Sequence, residues 1–374
     1  MDATCDALVR WVLAGGATAP RRTLLERCGD PGAALAAGPE AWRGAGLSAE
    51  QVRLLRRPDP AAHAHCTAWL AMPGNQLIGW HEPDYPPLLR RIASPPLALW
   101  ITGDPALLWH PLVAVVGSRA ASAGGVANAR DFSAALAAHG YGIASGLAAG
   151  IDTAAHAAAL ECSAPTVAVL GTGPDIPYPR ANAGLHARIA GTGALVSEHP
   201  PGTAARKEHF PSRNRILAGL SLGTLVIEAA LRSGALITAR EAADAGREVF
   251  ALPGSIHNPM ARGCHRLLRD GATLVEDAAE VHGALAPHVN AVADALRTRL
   301  GAPTPTAATA VSAALPALPP DYQRLWTALG HDPTGMDELA LRTALTPAEL
   351  SSMLLVMELE GRVAHAHGRY SRKR

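Results

Sequence analysis

The sequence predicts an α/β protein built on a doubly wound parallel sheet, with a small helical domain before it and a winged helix after it. Three observations predict this. Short apolar runs recur at LALWITG (97–103), LVAVVGS (112–118), YGIASG (141–146), TVAVLGTG (166–173), ALVSEH (194–199), TLVIEA (224–229), VFALPG (249–254) and ATLV (272–275). Several are rich in Val, Ile and Leu without polar alternation, as in strands covered on both faces. Ala-rich helical stretches such as ANARDFSAALAAHG and GALITAREAADAG lie between them, so strand and helix alternate as in repeated βαβ units. Both ends of the chain depart from that texture.

Residues 1–75 read as short helices joined by Gly and Pro, a helix-hairpin-helix or SAM-like domain. In GAGLSAEQVRLLRR, Ser48 with Gln51 three residues on forms a capping box that opens a helix. The hairpin ahead of it can offer backbone N–H groups to a phosphate or serve as a docking module, and no site is assigned to it. The sheet domain is expected over 76–285. Residues 286–319, which contain GAPTPTAATAVSAALPALP, are rich in Pro, Ala and Thr and read as a linker. Over 320–374, YQRLWTALG, MDELALRTAL and TPAELSSMLLVMELEGRV form three helices, the last capped by Thr346 and Glu349, and RVAHAHGRYSR forms a wing.

Composition excludes several classes. No stretch approaches the ~18–20 uninterrupted apolar residues of a membrane span, and MDATCDALVR lacks the basic start of a secretory signal. The five cysteines are scattered without a CxxC pair, which predicts free thiols, no metal and a cytoplasmic setting. HAHC (63–66) and Cys264-His265 lack partners at zinc spacing. A net charge of +1 says nothing for nucleic acid. The basic residues are nearly all arginine, with Lys207 and Lys373 the only lysines, which singles out Lys207 inside the chain.

In a doubly wound sheet, ligands sit outside the carboxyl ends of the strands, where backbone N–H groups attract anions. The strand ends here are Gly117-Ser118-Arg119, Ser145-Gly146 with Gly150-Ile151-Asp152, Gly171-Thr172-Gly173, Ser197-Glu198, and Ser233-Gly234 opening a helix. Small residues with a hydroxyl or a charge, repeated along one sheet edge, predict an anion-binding groove. It is not an ordinary nucleotide site, because GxxxxGK[ST] is absent and GSRAASAGG is not a dinucleotide fingerprint. The densest signal is Arg206-Lys207-Glu208-His209-Phe210-Pro211-Ser212-Arg213-Asn214-Arg215, with cations that can hold phosphates and an aromatic that can stack on a base. The alternative for the same stretch is Phe210 as a core anchor and the arginines as a solvated helix face. Asp152 and His156, i and i+4 on a helix, read as structural.

VAVVGSR, ASGLAAGIDTAAHAAAL, TVAVLGTGPDIPYP, LVSEHPPGT, FPSRNRILAGLS, LVIEAALRSGALITAREAADAGREVFALPG and LLRDGATLV resemble, in order and spacing, the successive blocks of the DprA/Smf family across residues 112–276. GWHEPDYPPLLRRIASPPLALWITG resembles that family's lead-in. The resemblance implies an extended Rossmann-like fold that binds single-stranded DNA without catalysis or cofactor. It also implies a homodimer that loads the recombinase RecA onto incoming DNA in natural transformation. It places the DNA contacts on Arg119, Lys207 and Phe210, with Arg213, Asn214 and Arg215 nearby. Two rival classes remain. A nucleotide phosphoribohydrolase of similar core would use Glu198 or Glu228, but Leu220-Ser221-Leu222-Gly223-Thr224 lacks that class's double glycine. A winged-helix regulator would read DNA with the helix from Pro347 to Glu360, which contains no lysine or arginine.

Overall fold

The computed structural model describes residues 2–300, 320–329, 334–359, 363–366 and 369–372. They fall into two compact units, 1–303 and 304–374. The chain opens with six helices, α1 (Ala3–Leu13), α2 (Thr18–Cys28), α3 (Pro31–Ala36), α4 (Gly38–Gly44), α5 (Ala49–Arg56) and α6 (Pro60–Leu70). The expected capping box opens α5: Gln51 N–H donates to Ser48 Oγ at 3.2 Å and Ser48 N–H to Gln51 Oε1 at 3.0 Å.

Next come β1 (Asn75–Gly79), the one-turn α7 (Pro87–Arg90) and β2 (Ala98–Gly103). The βα repeat then runs β3 (Leu112–Val116), α8 (Ala123–Ala138), β4 (Gly142–Ser145), α9 (Ile151–Glu161), β5 (Thr166–Val169), α10 (Ala183–Thr192), β6 (Ala194–Ser197), α11 (His209–Leu220), β7 (Gly223–Val226), α12 (Ala235–Asp244), β8 (Glu248–Ala251), α13 (Arg262–Arg269), β9 (Thr273–Leu274) and α14 (Ala278–Leu300).

These strands form one nine-stranded sheet in the order β1-β2-β6-β5-β4-β3-β7-β8-β9. From β6 to β9 all neighbours are parallel, whereas β1–β2 and β2–β6 are antiparallel. The sheet is therefore mostly parallel rather than wholly so. β2 joins β3 through a single 3₁₀ turn, Pro105–Trp109, with no long helix to carry the chain over as a parallel crossover would. β1 was not expected from the sequence, because NQLIG is short and carries only two strong apolar residues.

Alternation along β3 explains the two layers. Leu112, Ala114 and Val116 face one core with Ile216, Leu217 and Leu220 of α11 and Ala235 and Ala239 of α12. Val113 and Val115 face the other with Ala129, Phe132 and Leu136 of α8, Ala155 of α9 and Val281 and Leu285 of α14. The N-terminal helices are not set apart at residue 75. Leu8, Val9, Cys66 and Trp69 share a core with Leu77, Ala98 and Trp100, and the Trp69 and Trp100 rings meet edge to face at 5.6 Å. The linker expected at 286 begins later, since α14 runs on to Leu300. Val281, Leu285 and Val289 line one face of that helix against the sheet, an i, i+4, i+8 stripe that outweighs the breaker signal of Pro287. The remainder of that linker, 301–319, lies outside the described residues.

In the second unit, α15 (Pro320–Ala328), β10 (Thr334–Gly335), α16 (Met336–Thr343), α17 (Pro347–Leu359), β11 (Val363–Ala366) and β12 (Arg369–Arg372) give the expected winged helix. Its core joins Leu325, Leu339, Leu350, Leu354 and Val363, and β11 pairs antiparallel with β12 as the wing. Thr346 and Glu349 cap α17 as expected. Glu360, Arg362, Lys373 and Arg374 lie outside the described residues. No helix among the described residues is long and apolar enough to cross a membrane.

Candidate nucleic-acid interface

Strand order reverses at β3: the chain goes from β3 to β4, β5 and β6 on one side and returns to β7, β8 and β9 on the other. The loops after β3 and β7 diverge there, and a groove of about 680 Å³ opens between them at the carboxyl edge. Of the residues expected from sequence, Gly117, Ser118, Arg119, Lys207, Phe210, Arg213, Asn214, Ser233 and Gly234 line it. Its charged lining is Arg119, Lys207, Arg213 and Arg232 against the single carboxylate of Asp152, so the field favours an anion.

Arg119 and Lys207 are exposed. The Arg119 guanidinium lies 5.7 Å from the centre of the Phe210 ring, a cation–π distance. Phe210 stands half-buried at the start of α11, and Gly171 is what lets it pack there, since a Cβ at that position would lie 2.9 Å from the ring. The Ser118 hydroxyl accepts from Ala120 N–H at 3.1 Å, and the Ser233 hydroxyl from Ala235 N–H at 3.2 Å. Both serines therefore shape the turns that border the groove.

The other expected residues take different places. Ser145 is fully buried and donates to Val115 O at 2.7 Å. Thr172 is buried and donates to Ile176 O at 2.7 Å. Neither residue lines the groove: the Ser145 hydroxyl ties β4 to β3, and the Thr172 hydroxyl closes the turn after β5. Gly146 and Gly171 are buried spacers, the first against the Arg213 guanidinium and the second against Phe210. Arg215 points away and forms a two-pronged pair with Glu198 at 2.7 and 2.8 Å, while its Nε donates to Ser94 O.

Arg213 lines the groove yet is only 5% exposed, so it is a buried cation rather than a free phosphate ligand. It donates through Nη1 to Val169 O and through Nε to Asn214 Oδ1 at 3.2 Å. Burial pulls its pKa down to about 10, with the nearby Asp152 carboxylate opposing. Asp152 accepts from Gly146 and Ala148 N–H at 3.1 and 3.3 Å. Burial pushes its carboxyl up, and Arg213 with those N–H groups pulls it back. Asn214 donates to Gly234 O at 3.3 Å, tying α11 to the loop before α12. His156 is wholly buried against Thr166, in keeping with a structural role.

Glu228 accepts from the backbone and hydroxyl of Ser122 at 2.9 and 2.6 Å. Both strand-end glutamates are thus held by donors. His63 pairs with Asp6 at 3.0 Å, and no metal-holding cluster of His, Cys, Asp or Glu occurs among the described residues.

Sequence reasoning missed Tyr178, Arg232 and Met260, which also line the groove. Tyr178 carried a legible signal: it is one of five tyrosines in an aromatic-poor chain and follows a strand-end turn.

Fold and site together define a Rossmann-like α/β protein with an anion-receptive groove at its topological switch point. The chain belongs to the DprA/Smf family: the family model for DNA recombination-mediator protein A matches residues 76–286, and that for the DprA winged helix domain matches 308–369. It is 41% identical to Protein Smf of Escherichia coli over 82% of this chain and 79% of that protein. It is 47% identical to the DNA processing protein DprA of Streptococcus pneumoniae over 53% of this chain and 70% of that protein. The X-ray structure of DprA from Streptococcus pneumoniae superposes with a TM-score of 0.67 at 35% identity, covering 76% of this chain and 98% of that one. A Helicobacter pylori DprA structure, described for its single-stranded DNA binding mode, gives 0.50 at 27% identity over 60% and 97%.

Proposed function

We propose that this chain binds single-stranded DNA in the groove at the carboxyl edge of its sheet and acts there without catalysis. The observation that carries the reading is the meeting of exposed Arg119 and Lys207 with the Phe210 ring at one switch-point groove. Cations hold the backbone and an aromatic accepts a base regardless of sequence. Family membership and the Helicobacter pylori relative's single-stranded DNA binding support the same ligand. The engagement of Glu198 by Arg215 and of Glu228 by Ser122 supports a binding rather than a hydrolytic role. The same reading makes the protein a cytoplasmic homodimer that protects incoming DNA and loads RecA during transformation, as the family resemblance implies.

Competition between a labelled single strand and its matched duplex tests the core of this reading. The single strand is expected to bind much more tightly, and equal affinities would overturn it.

A further inference from the structure

The helical region before β1 carries a second concentration of positive charge. Arg43 of α4 and Arg53, Arg56 and Arg57 of α5 and its C-cap surround a trough of about 330 Å³, which Ala49 and Val52 complete. We infer that this trough holds the phosphate backbone of single-stranded DNA, as a second contact for a strand whose first contact is the switch-point groove. The inference rests on the function proposed above and extends it to the length of strand that one chain covers.

All four arginines are exposed, and the helix that carries three of them is firmly seated. Leu55 on the inner side of α5 packs with Trp11, Leu25 and Trp42. Gln51 Nε2 donates to Gly15 O at 2.7 Å and to Ala17 O at 3.0 Å, and Arg10 Nη2 donates to Leu55 O at 2.9 Å. Arg53, Arg56 and Arg57 stand at i, i+3 and i+4, so they share the outer face.

The nearest carboxylates in the chain are already engaged. Glu50 forms a two-pronged pair with Arg53 at 2.5 and 2.8 Å, and Asp59 accepts from Ala61 and Ala62 N–H as the cap of α6. Arg43, Arg56 and Arg57 form no ion pair among the described residues. Gathering like charges in this way costs repulsion that a bound polyanion removes.

No aromatic lines the trough, so nothing there stacks on a base and only the backbone is held. Guanidinium forks match phosphate oxygens. Trough and groove belong to one compact unit, 1–303, so a strand that follows its surface from one to the other has to bend. A single strand bends freely, whereas a duplex stays stiff over about 150 base pairs. That difference selects the single strand as occupant.

The test uses the full chain, with Arg43, Arg56 and Arg57 changed together to Ala or together to Lys. Binding is measured on a single strand of about 8 nucleotides, a single strand several times longer and a duplex of that longer length. On the long single strand the Ala variant should bind about 10- to 100-fold more weakly, with the slope of log affinity against log salt reduced by about 0.7 per lost contact. On the short strand it should match the parent, and the Lys variant should keep the parent's salt slope on both. In the parent, reaction of Arg56 and Arg57 with an arginine-specific dicarbonyl reagent, read by mass spectrometry, should be blocked by the long single strand and not by the short one. That measurement needs no variant to fold. An Ala variant that binds the long single strand as the parent does, a loss confined to the duplex, or arginines that stay reactive under the long strand overturns the trough and leaves the proposed function standing. A parent that does not prefer the single strand removes the proposed function itself.

Discussion

Glu228, two residues beyond β7, holds Ser122, the N-cap of α8, through two hydrogen bonds across 106 residues of chain. Gly117 to Ala121 span the gap between β3 and that cap, so the pair fixes the loop that carries Arg119. The carboxylate, a candidate catalytic acid on sequence grounds alone, spends both oxygens on Ser122. Glu228→Gln keeps the shape but removes the charge that strengthens both bonds and leaves one acceptor where two donors converge, and should cost about 1–3 kcal/mol in urea unfolding. The parent should release neither phosphate from ATP nor base from a nucleoside monophosphate. Hydrolysis that disappears in Glu228→Gln would restore the enzyme reading.

Phe210 separates binding from packing. The buried side of α11 is made by Ile216, Leu217 and Leu220, whereas Phe210 stands half-buried with its ring toward Tyr178 and the groove. Phe210→Ala should therefore lose much less than the ~3–5 kcal/mol of a core phenylalanine. It should still weaken single-strand binding by about 1–3 kcal/mol without changing the salt slope, because stacking releases no counterions. Thermal melts and a salt titration of the same variant decide this, and a melting temperature that falls as far as for a core truncation contradicts it.

The fold was legible because its strongest elements are periodic. The buried runs at Leu112–Val116 and Thr166–Val169 allow no face to solvent, and Ser48, Gln51, Thr346 and Glu349 mark helix starts by local chemistry alone. β1 escaped because five residues with two strong apolar side chains do not declare a period, and its pairing with β2 is a tertiary fact. Within the site, residue type gave the groove but not the direction of each side chain. Arg213 and Arg215 are two residues apart on one helix, yet one turns inward to Asp152 and Val169 and the other to Glu198. Only the partners contributed by β5 and by the segment after β6 separate those roles, and sequence spacing does not contain them.

The buried His156 gives the fold an acid-side weakness. Its Nδ1 lies 2.7 Å from Thr166 Oγ1, which itself donates to Ile143 O, so the imidazole is the donor. Burial, reinforced by the Arg213 guanidinium, lowers its pKa to about 3. Above its unfolded value near 6.5 the residue is neutral in both states and its full contribution is present. As pH falls from about 6.5 toward 3, the unfolded chain takes up a proton that the native state refuses. Stability then drops, by at most about 1.4 kcal/mol per pH unit. Half-buried His199, lowered to about 4 chiefly by burial, acts in the same direction. Urea unfolding at several pH values should show His156→Gln losing less stability than the parent between about pH 6.5 and 5. Parallel curves would show that His156 titrates normally in the native state.

Arg119 and Lys207 test the groove most directly, because both are exposed and neither forms an ion pair among the described residues. Their truncation should leave the melting temperature in place, unlike Arg213→Ala, which strands the buried Asp152 carboxylate. Each single change to Ala should weaken single-strand binding by about 1–3 kcal/mol, the range for charge-assisted hydrogen bonds. Each should also flatten the plot of log affinity against log salt by roughly 0.7, the counterion release lost with one phosphate contact on a single strand. Duplex binding, which uses the same phosphate ligands, should weaken in parallel. The reduced slope is the informative reading, since a distant structural disturbance would lower affinity without changing the number of ions released. A folded Arg119/Lys207 double variant that binds single-stranded DNA as tightly as the parent, with the parent's salt slope, removes this groove as the binding surface.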